Sequence, residues 1–341
     1  MNSKGVNQWW SKATSKYSIY IVLIAMFIVC SVISPVFLST KNITNISRQI
    51  SITTIIAFGE TLLIICGLID LSAGSVLALS GVLSVAAYKM TGSMEMAMLV
   101  GVTVGVFCNA INGILVTKFK TPPFIATLAM QTAARGAALL YTNGQNIYQI
   151  GEYKALGQNS IGIIPIPVIF MIGTTAMTWY MLNHTKFGRH LYAVGGSEEA
   201  ARASGVNNNR TKMIAYLING LFVGVAGVLF MSRVNAGLPN GGIGAEFEAM
   251  TSAIIGGTSF SGGIGTAMGT LAGAFIMGFV NNIMNLLGVQ SYMQQIVKGI
   301  IIALAVVYDI RSKTKRDKKK QGNINEKLID NDSKGRESGV L

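Results

Sequence analysis

Charge is scarce in this chain. Only 12% of its 341 residues are Asp, Glu, Lys or Arg, against about 25% in an average soluble domain. A soluble fold of this length needs far more charge to cover its surface, so the deficit argues against one. Histidine is scarcer still: His184 and His190 are the only two, and both fall in one polar stretch between apolar runs. That excludes a Ser–His dyad within an apolar segment and an H-E-x-x-H zinc site. The three cysteines, Cys30, Cys66 and Cys108, all lie in apolar runs. Thiols so placed pack as small hydrophobes, and no disulfide, metal or redox role is expected of them. No G-x-x-x-x-G-K-[ST] phosphate loop occurs, so ATP cannot bind by that route. The expectation is a non-enzyme without a cofactor.

What the chain has instead is apolar length. Hydrophobic residues make up 51% of it and come in blocks such as Ile19 to Val36, Ala97 to Val116 and Thr266 to Val280. About 18 or more mostly apolar residues suffice to cross some 30 Å of hydrocarbon. The fold class expected is therefore an all-α polytopic membrane protein of about ten transmembrane helices, at 18–37, 50–69, 71–89, 95–116, 123–141, 161–182, 212–232, 244–258, 265–287 and 292–310. Glycines blur the pattern at 68–74 and 244–265. Lys4, Lys12 and Lys16 before the first run superficially resemble a signal peptide. That run is too long for a secretory core and no small-x-small site follows it, so a retained first span is expected.

Lysine and arginine placement sets the orientation. With the N-terminal segment 1–17 in the cytoplasm, 20 basic residues fall inside and only Lys41, Arg48, Lys89, Lys154 and Arg233 outside. Both termini are expected in the cytoplasm, flanking a membrane domain over 18–310. The net charge of +13 is concentrated in the tail, 311–341, and in the inside loops. The run Lys313 to Lys320 directly after the last span suits anionic lipid headgroups, at about 1 kcal/mol per basic residue; nucleic acid is not expected. From Gln321 onward the polar composition predicts disorder.

Ionisable residues inside the expected spans are Glu60, Asp70, Arg135, Glu246, Glu248, Lys298 and Asp309. Glu60 and Arg135 are the deepest, and each reads equally as part of a structural pair or a snorkelling side chain, or as part of a solute pathway. There is no dense carboxylate relay of the kind a proton pump needs. The 39 glycines cluster at Gly67 to Gly74 and at Gly256 to Gly265. These clusters resemble each other loosely, and suit close helix packing, pathway lining or both.

One long polar loop, 183–212, separates the sixth and seventh spans. Within it Ser197 is a good N-cap, Glu198 and Glu199 suit the positive end of a helix, and Gly205 suits its stop. A helix of two turns lying in the cytoplasm is predicted there. The segment Glu199-Ala200-Ala201-x-x-x-Gly205 resembles the EAA motif of bacterial importer permeases. Gly67 to Gly81, Asn112 to Val116, Thr121 to Leu128, Gly188 to Val206, Ile255 to Gly265 and Lys298 to Ile302 together resemble the ribose-type monosaccharide permeases of ATP-binding-cassette importers, in register over roughly Ser18 to Asp309. The chain departs from that pattern at Gly67-Leu68, where two glycines are usual, and at Pro122-Pro123, where one proline is usual.

The resemblance implies a permease of the bacterial cytoplasmic (inner) membrane, as a homodimer or a heterodimer with a related permease. Its partners would be two copies of an ATP-binding subunit, which hydrolyses the ATP, and an extracytoplasmic binding protein that delivers a ribose-, galactose- or xylose-like sugar. It implies coupling to the ATPase through Arg189, Glu198, Glu199, Ala200, Ala201 and Gly205. For the pathway, Asp70, Ser72, Asn112 and Gln131 are the expected polar residues. The rival is an ion-coupled carrier acting without an ATPase.

Overall fold

The computed structural model describes residues 3–311; the basic run Lys313 to Lys320 and the rest of the tail lie outside them. The described chain is almost wholly helical, as a membrane interior demands, because helices satisfy every backbone polar group internally. Helix α1 covers Ser3–Ile33 and α2 Thr40–Ile65, with α3 at Ala73–Thr91, α4 at Met94–Thr117 and α5 at Pro123–Thr142. After a short turn α6 (Ala155–Gln158) and a two-residue hairpin of β1 (Ser160–Ile161) and β2 (Ile164–Pro165) come α7 (Ile166–His184), α8 (Lys186–Gly196) and α9 (Glu198–Ala203). Then follow α10 (Asn208–Val234), α11 (Ala245–Ile255), α12 (Ala267–Leu286) and α13 (Ser291–Arg311). Among the described residues seven helices are long and apolar enough to cross a membrane: α2, α3, α4, α7, α10, α12 and α13.

Helix α2 is the axis of the bundle, packed against α7, α10, α11 and α12. It starts ten residues before the expected span, at Thr40, because its first turns are polar and hydropathy cannot mark them. Ser39 caps it, accepting from Asn42 N at 3.3 Å. Asn42 and Asn282 of α12 then exchange amide hydrogen bonds of 3.1 and 2.8 Å. Helices α4 and α10 approach through glycine: a Cβ on Gly105 would stand 2.3 Å from Gly220 O. Small residues permit such contact where no hydrophobic force drives helices together.

The two blurred regions are where regular structure stops. Between α2 and α3 the chain runs through 66–72 without helix, turning at Gly67 (φ +77°). Between α10 and α11 it leaves helix at Asn235, pairs Gly237 with Ile147 and stays irregular to Gly244. Helix α11 has 11 residues, about 16 Å, roughly half the length needed to cross 30 Å of hydrocarbon. The expected span 244–258 is thus a short helix preceded by irregular chain. Its neighbour α12 packs on it through Gly256, Gly269 and Gly273.

Candidate functional site

The two irregular segments meet at the middle of the bundle. Asp70, fully buried, stands just ahead of the first turn of α3. There a carboxylate complements the positive helix end and takes up free N–H groups. Asp70 Oδ1 accepts from Ser72 N at 2.7 Å and also from the Ser72 hydroxyl. Asp70 Oδ2 accepts from Asn219 Nδ2 of α10 at 2.7 Å, and the same amide donates to Asn109 Oδ1 of α4 at 3.0 Å. Asn112, also on α4, donates to Ser72 Oγ at 3.0 Å. Asn219 lies about 17 Å along the 27-residue α10, from 1.5 Å per residue, so this network sits at mid-depth. Tyr216 closes one side, its hydroxyl donating to Ile69 O at 3.4 Å. Glu60 of α2 is fully buried, and among the described residues neither of its carboxyl oxygens has a hydrogen-bond partner.

Gly74, four residues after Asp70, touches the second segment. A Cβ there would lie 2.1 Å from Glu246 Oε2 and 2.3 Å from Gly242 O, so only glycine fits. Arg135 of α5 holds this crossing: its guanidinium donates to Pro239 O at 2.5 Å, Gly241 O at 2.9 Å and Gly74 O at 3.4 Å. It supplies donors to carbonyls that the broken helix leaves open. Gln131, one turn away on α5, donates to Glu246 Oε1 at 3.3 Å.

The structure therefore brings Asp70, Ser72 and Asn112 into one network and sets Gln131 in the adjoining one. Asn109, Asn219 and Tyr216 are marked in the sequence only weakly, the two asparagines by their place within apolar runs. Glu60 and Arg135, the two deepest ionisable residues, do not pair with each other.

Of the other charges expected within the spans, Glu248 bonds Lys298 at 3.2 Å and accepts from Asn281 at 2.7 Å. Asp309 accepts from Phe260 N at 2.8 Å.

A second feature occupies one end of the bundle. The predicted helix forms as α9, with Ser197 accepting from Ala200 N at 3.2 Å and Gly205 at φ +80° ending it. It is preceded by α8, which no sequence signal marks as a helix. Thr185 caps α8 by accepting from Gly188 N at 3.1 Å, and Leu191 and Val194 turn inward. The residues named from the motif divide by direction. Arg189, Glu199, Ala200 and Gly205 are exposed, while Ala201 is buried and Glu198 half-buried. Glu198 anchors α9 to α10, bonding Lys212 at 2.7 Å, and its backbone carbonyl accepts from Asn208 at 2.8 Å.

The hydrogen bond from Lys212, ahead of the neighbouring charges, holds the Glu198 carboxyl below its ordinary 4.5. A carboxylate with a depressed pKa in the fold gives stability that is present above the unfolded value and lost as pH falls through the lowered one. Hydrogen exchange of the 198–204 amides should therefore quicken as pH drops below 4.5, after correction for intrinsic exchange rates. Lys212→Met should remove that pH dependence; a dependence persisting in the variant would show that another group anchors α9.

At the opposite end a polar cavity of about 430 Å³ is lined by Asn42, Arg48, Gln49, Gln158, Arg233 and Asn285 among others.

The family described as branched-chain amino acid transport system / permease component matches residues 42–306. The chain is 42% identical to the ribose import permease protein RbsC of Bacillus subtilis strain 168, over 85% of this chain and 91% of that one. It is 38% identical to the D-allose transport system permease protein AlsC of Escherichia coli K12, over 86% and 91%. To the L-arabinose transport system permease protein AraH of the same strain it is 34% identical, over 88% and 92%. No solved structure matches it. A largely helical bundle of long apolar spans, broken at its centre by two irregular segments, is thus matched over most of its length by a transport family, and the chain belongs to the branched-chain amino acid transport system / permease component family.

Proposed function

We propose that this chain is the membrane-spanning permease of an ATP-driven importer in a bacterial inner membrane, and that its solute is a monosaccharide. The observation that carries the reading is end-to-end similarity to permeases named for ribose, allose and arabinose. These three aldoses share hydroxyl-rich, uncharged chemistry. They favour a sugar over the amino acids of the family's description.

ATP hydrolysis then belongs to a separate ATP-binding subunit, which docks on the outward surface of α8 and α9 at Arg189, Glu199, Ala200 and Gly205. Glu198 and Ala201 hold that surface in place. Placing this end in the cytoplasm agrees with the excess of lysine and arginine on that side. It leaves the 430 Å³ polar cavity facing outward, where a sugar-binding protein would approach. Two ATP-binding subunits and a second permease copy complete the assembly. Added to the seven long helices, α1, α5 and the irregular segment with α11 bring the membrane segments to about ten.

The central networks are the barrier across which solute passes. Asp70, Ser72, Asn112 and Gln131 are its polar residues, with Asn219 and Arg135 added from the geometry.

Docking is tested at Gly205. The left-handed backbone at φ +80° costs a non-glycine residue about 1–2 kcal/mol, and Asp adds a charge to the docking surface. Gly205→Asp should leave the permease in the membrane but abolish its stimulation of the ATP-binding subunit's ATPase. Stimulation equal to wild type would remove Gly205 from the docking surface.

A further inference from the structure

Helix α8 meets the bundle through backbone as well as side chains. A Cβ on Gly195 would lie 1.7 Å from Ile65 O and 2.7 Å from Gly263 N. Gly263 N itself donates to Ile65 O at 2.9 Å. On the other face a Cβ on Gly262 would lie 2.7 Å from Gly195 O. One turn earlier in α8, Tyr192 donates its hydroxyl to Gly265 O at 2.7 Å, and burial pushes that phenol's pKa up, which keeps the donor proton in place. Three backbones thus touch at one point: the end of α8, the last residue of α2, and the glycine turn between α11 and α12.

Two covalent arms leave this point and meet again. Ile65 continues through Gly67 to Asp70 and Gly74. Gly263 leads back through Gly256 and α11 to Glu246. Gly74 and Glu246 are in contact at the central barrier, where a Cβ would stand 2.1 Å from the carboxylate. The result is a closed ring with α8 at one end and the barrier at the other. A contact made through side chains can absorb displacement by changing rotamer, whereas close-packed backbones pass it on.

We propose that this three-backbone junction carries the movement of the docked ATP-binding subunit to the barrier, with Gly195 and Tyr192 as positioning residues. The proposal rests on α8 and α9 being the docking surface, and it separates two jobs: Glu199 and its neighbours fasten the partner, while Gly195 and Tyr192 pass on its motion.

The neighbouring glycine provides a matched control, because a Cβ on Gly196 meets nothing within 4 Å. Permease, ATP-binding subunit and binding protein are reconstituted in vesicles, and sugar taken up per ATP hydrolysed is measured with whichever of labelled ribose, allose or arabinose the wild type accumulates. Co-purification of the ATP-binding subunit is followed in parallel. Gly196→Ala should match wild type. Gly195→Ala should keep the ATP-binding subunit and hydrolyse ATP, yet take up at least about tenfold less sugar per ATP, as expected when a methyl group is forced into closed packing. Tyr192→Phe, lacking one hydrogen bond, should lose about threefold. An unchanged ratio in Gly195→Ala, or equal losses in Gly195→Ala and Gly196→Ala, would overturn the proposal. Should Gly195→Ala fail to assemble, Tyr192→Phe decides: an unchanged ratio in an intact complex overturns it too. Wild-type vesicles without ATP-driven uptake would instead overturn the importer reading, before any variant is compared.

Discussion

Asp70→Ala should lower sugar uptake about 100-fold while the chain still inserts into the membrane. The carboxylate ties α3 to α10 from a fully buried position, with Ser72 on one oxygen and Asn219 on the other. Removing one partner from a buried charged network costs about 3–5 kcal/mol, because the remaining groups lose their hydrogen bonds without regaining water. About 3 kcal/mol corresponds to roughly 100-fold. Insertion depends on the apolar runs, which the substitution leaves untouched. Asp70→Asn can still accept on one oxygen and should fall between alanine and wild type. Uptake by Asp70→Ala at the wild-type rate, at equal membrane levels, would remove Asp70 from the transport cycle.

The second large effect is expected at Arg135. Its guanidinium bonds carbonyls of both irregular segments, Gly74 O on one side and Pro239 O and Gly241 O on the other. Arg135→Ala leaves those carbonyls without this donor, at about 1–3 kcal/mol for each buried group left unsatisfied. Thermal unfolding in detergent should begin at a lower temperature, and uptake should fall by at least about tenfold. Arg135→Lys offers a single ammonium where a planar fork reaches three acceptors, so it should recover stability only in part. Full stability and full uptake in Arg135→Ala would mean that the crossing is held by glycine packing alone.

Much of this architecture is legible in the sequence, and the failures share a physical cause. Apolar runs place α3, α4, α5, α10, α12 and α13 within a few residues of their ends, because length against bilayer thickness is a strong constraint. Ser197 and Gly205 mark the limits of α9 through cap chemistry that is local by nature. The start of α2 is hidden because Asn42, Asn45 and Gln49 look like loop until Asn282 and the polar cavity are known to face them. Helix α8 is hidden because Gly188, Gly195 and Gly196 lower its helix propensity; Gly188 and Gly195 are there for close contact. The half-length of α11 cannot be seen either. Gly237 to Gly244 reads as the connection between two spans, and only the contacts of Gly74, Arg135 and Glu246 show that irregular chain occupies the bundle centre.

The candidate site follows the same rule. Asp70, Ser72 and Asn112 stand out as polar residues in apolar surroundings, and the fold gathers them. That Asn219 completes the Asp70 network, 149 positions along the chain, is information carried by packing alone. Glu198 and Glu199 are adjacent and chemically alike, yet one anchors α9 and the other faces outward, a distinction set by Lys212 on the next helix.

If sugar crosses through this chain at the expense of ATP hydrolysed by a partner, that dependence will show in uptake of labelled ribose, allose and arabinose into vesicles containing the permease with and without its ATP-binding subunit and binding protein. Accumulation that requires enclosed ATP and both partners, and is indifferent to a proton or sodium gradient, is the predicted result. Gradient-driven accumulation by the permease alone would show instead an ion-coupled carrier that needs no ATPase.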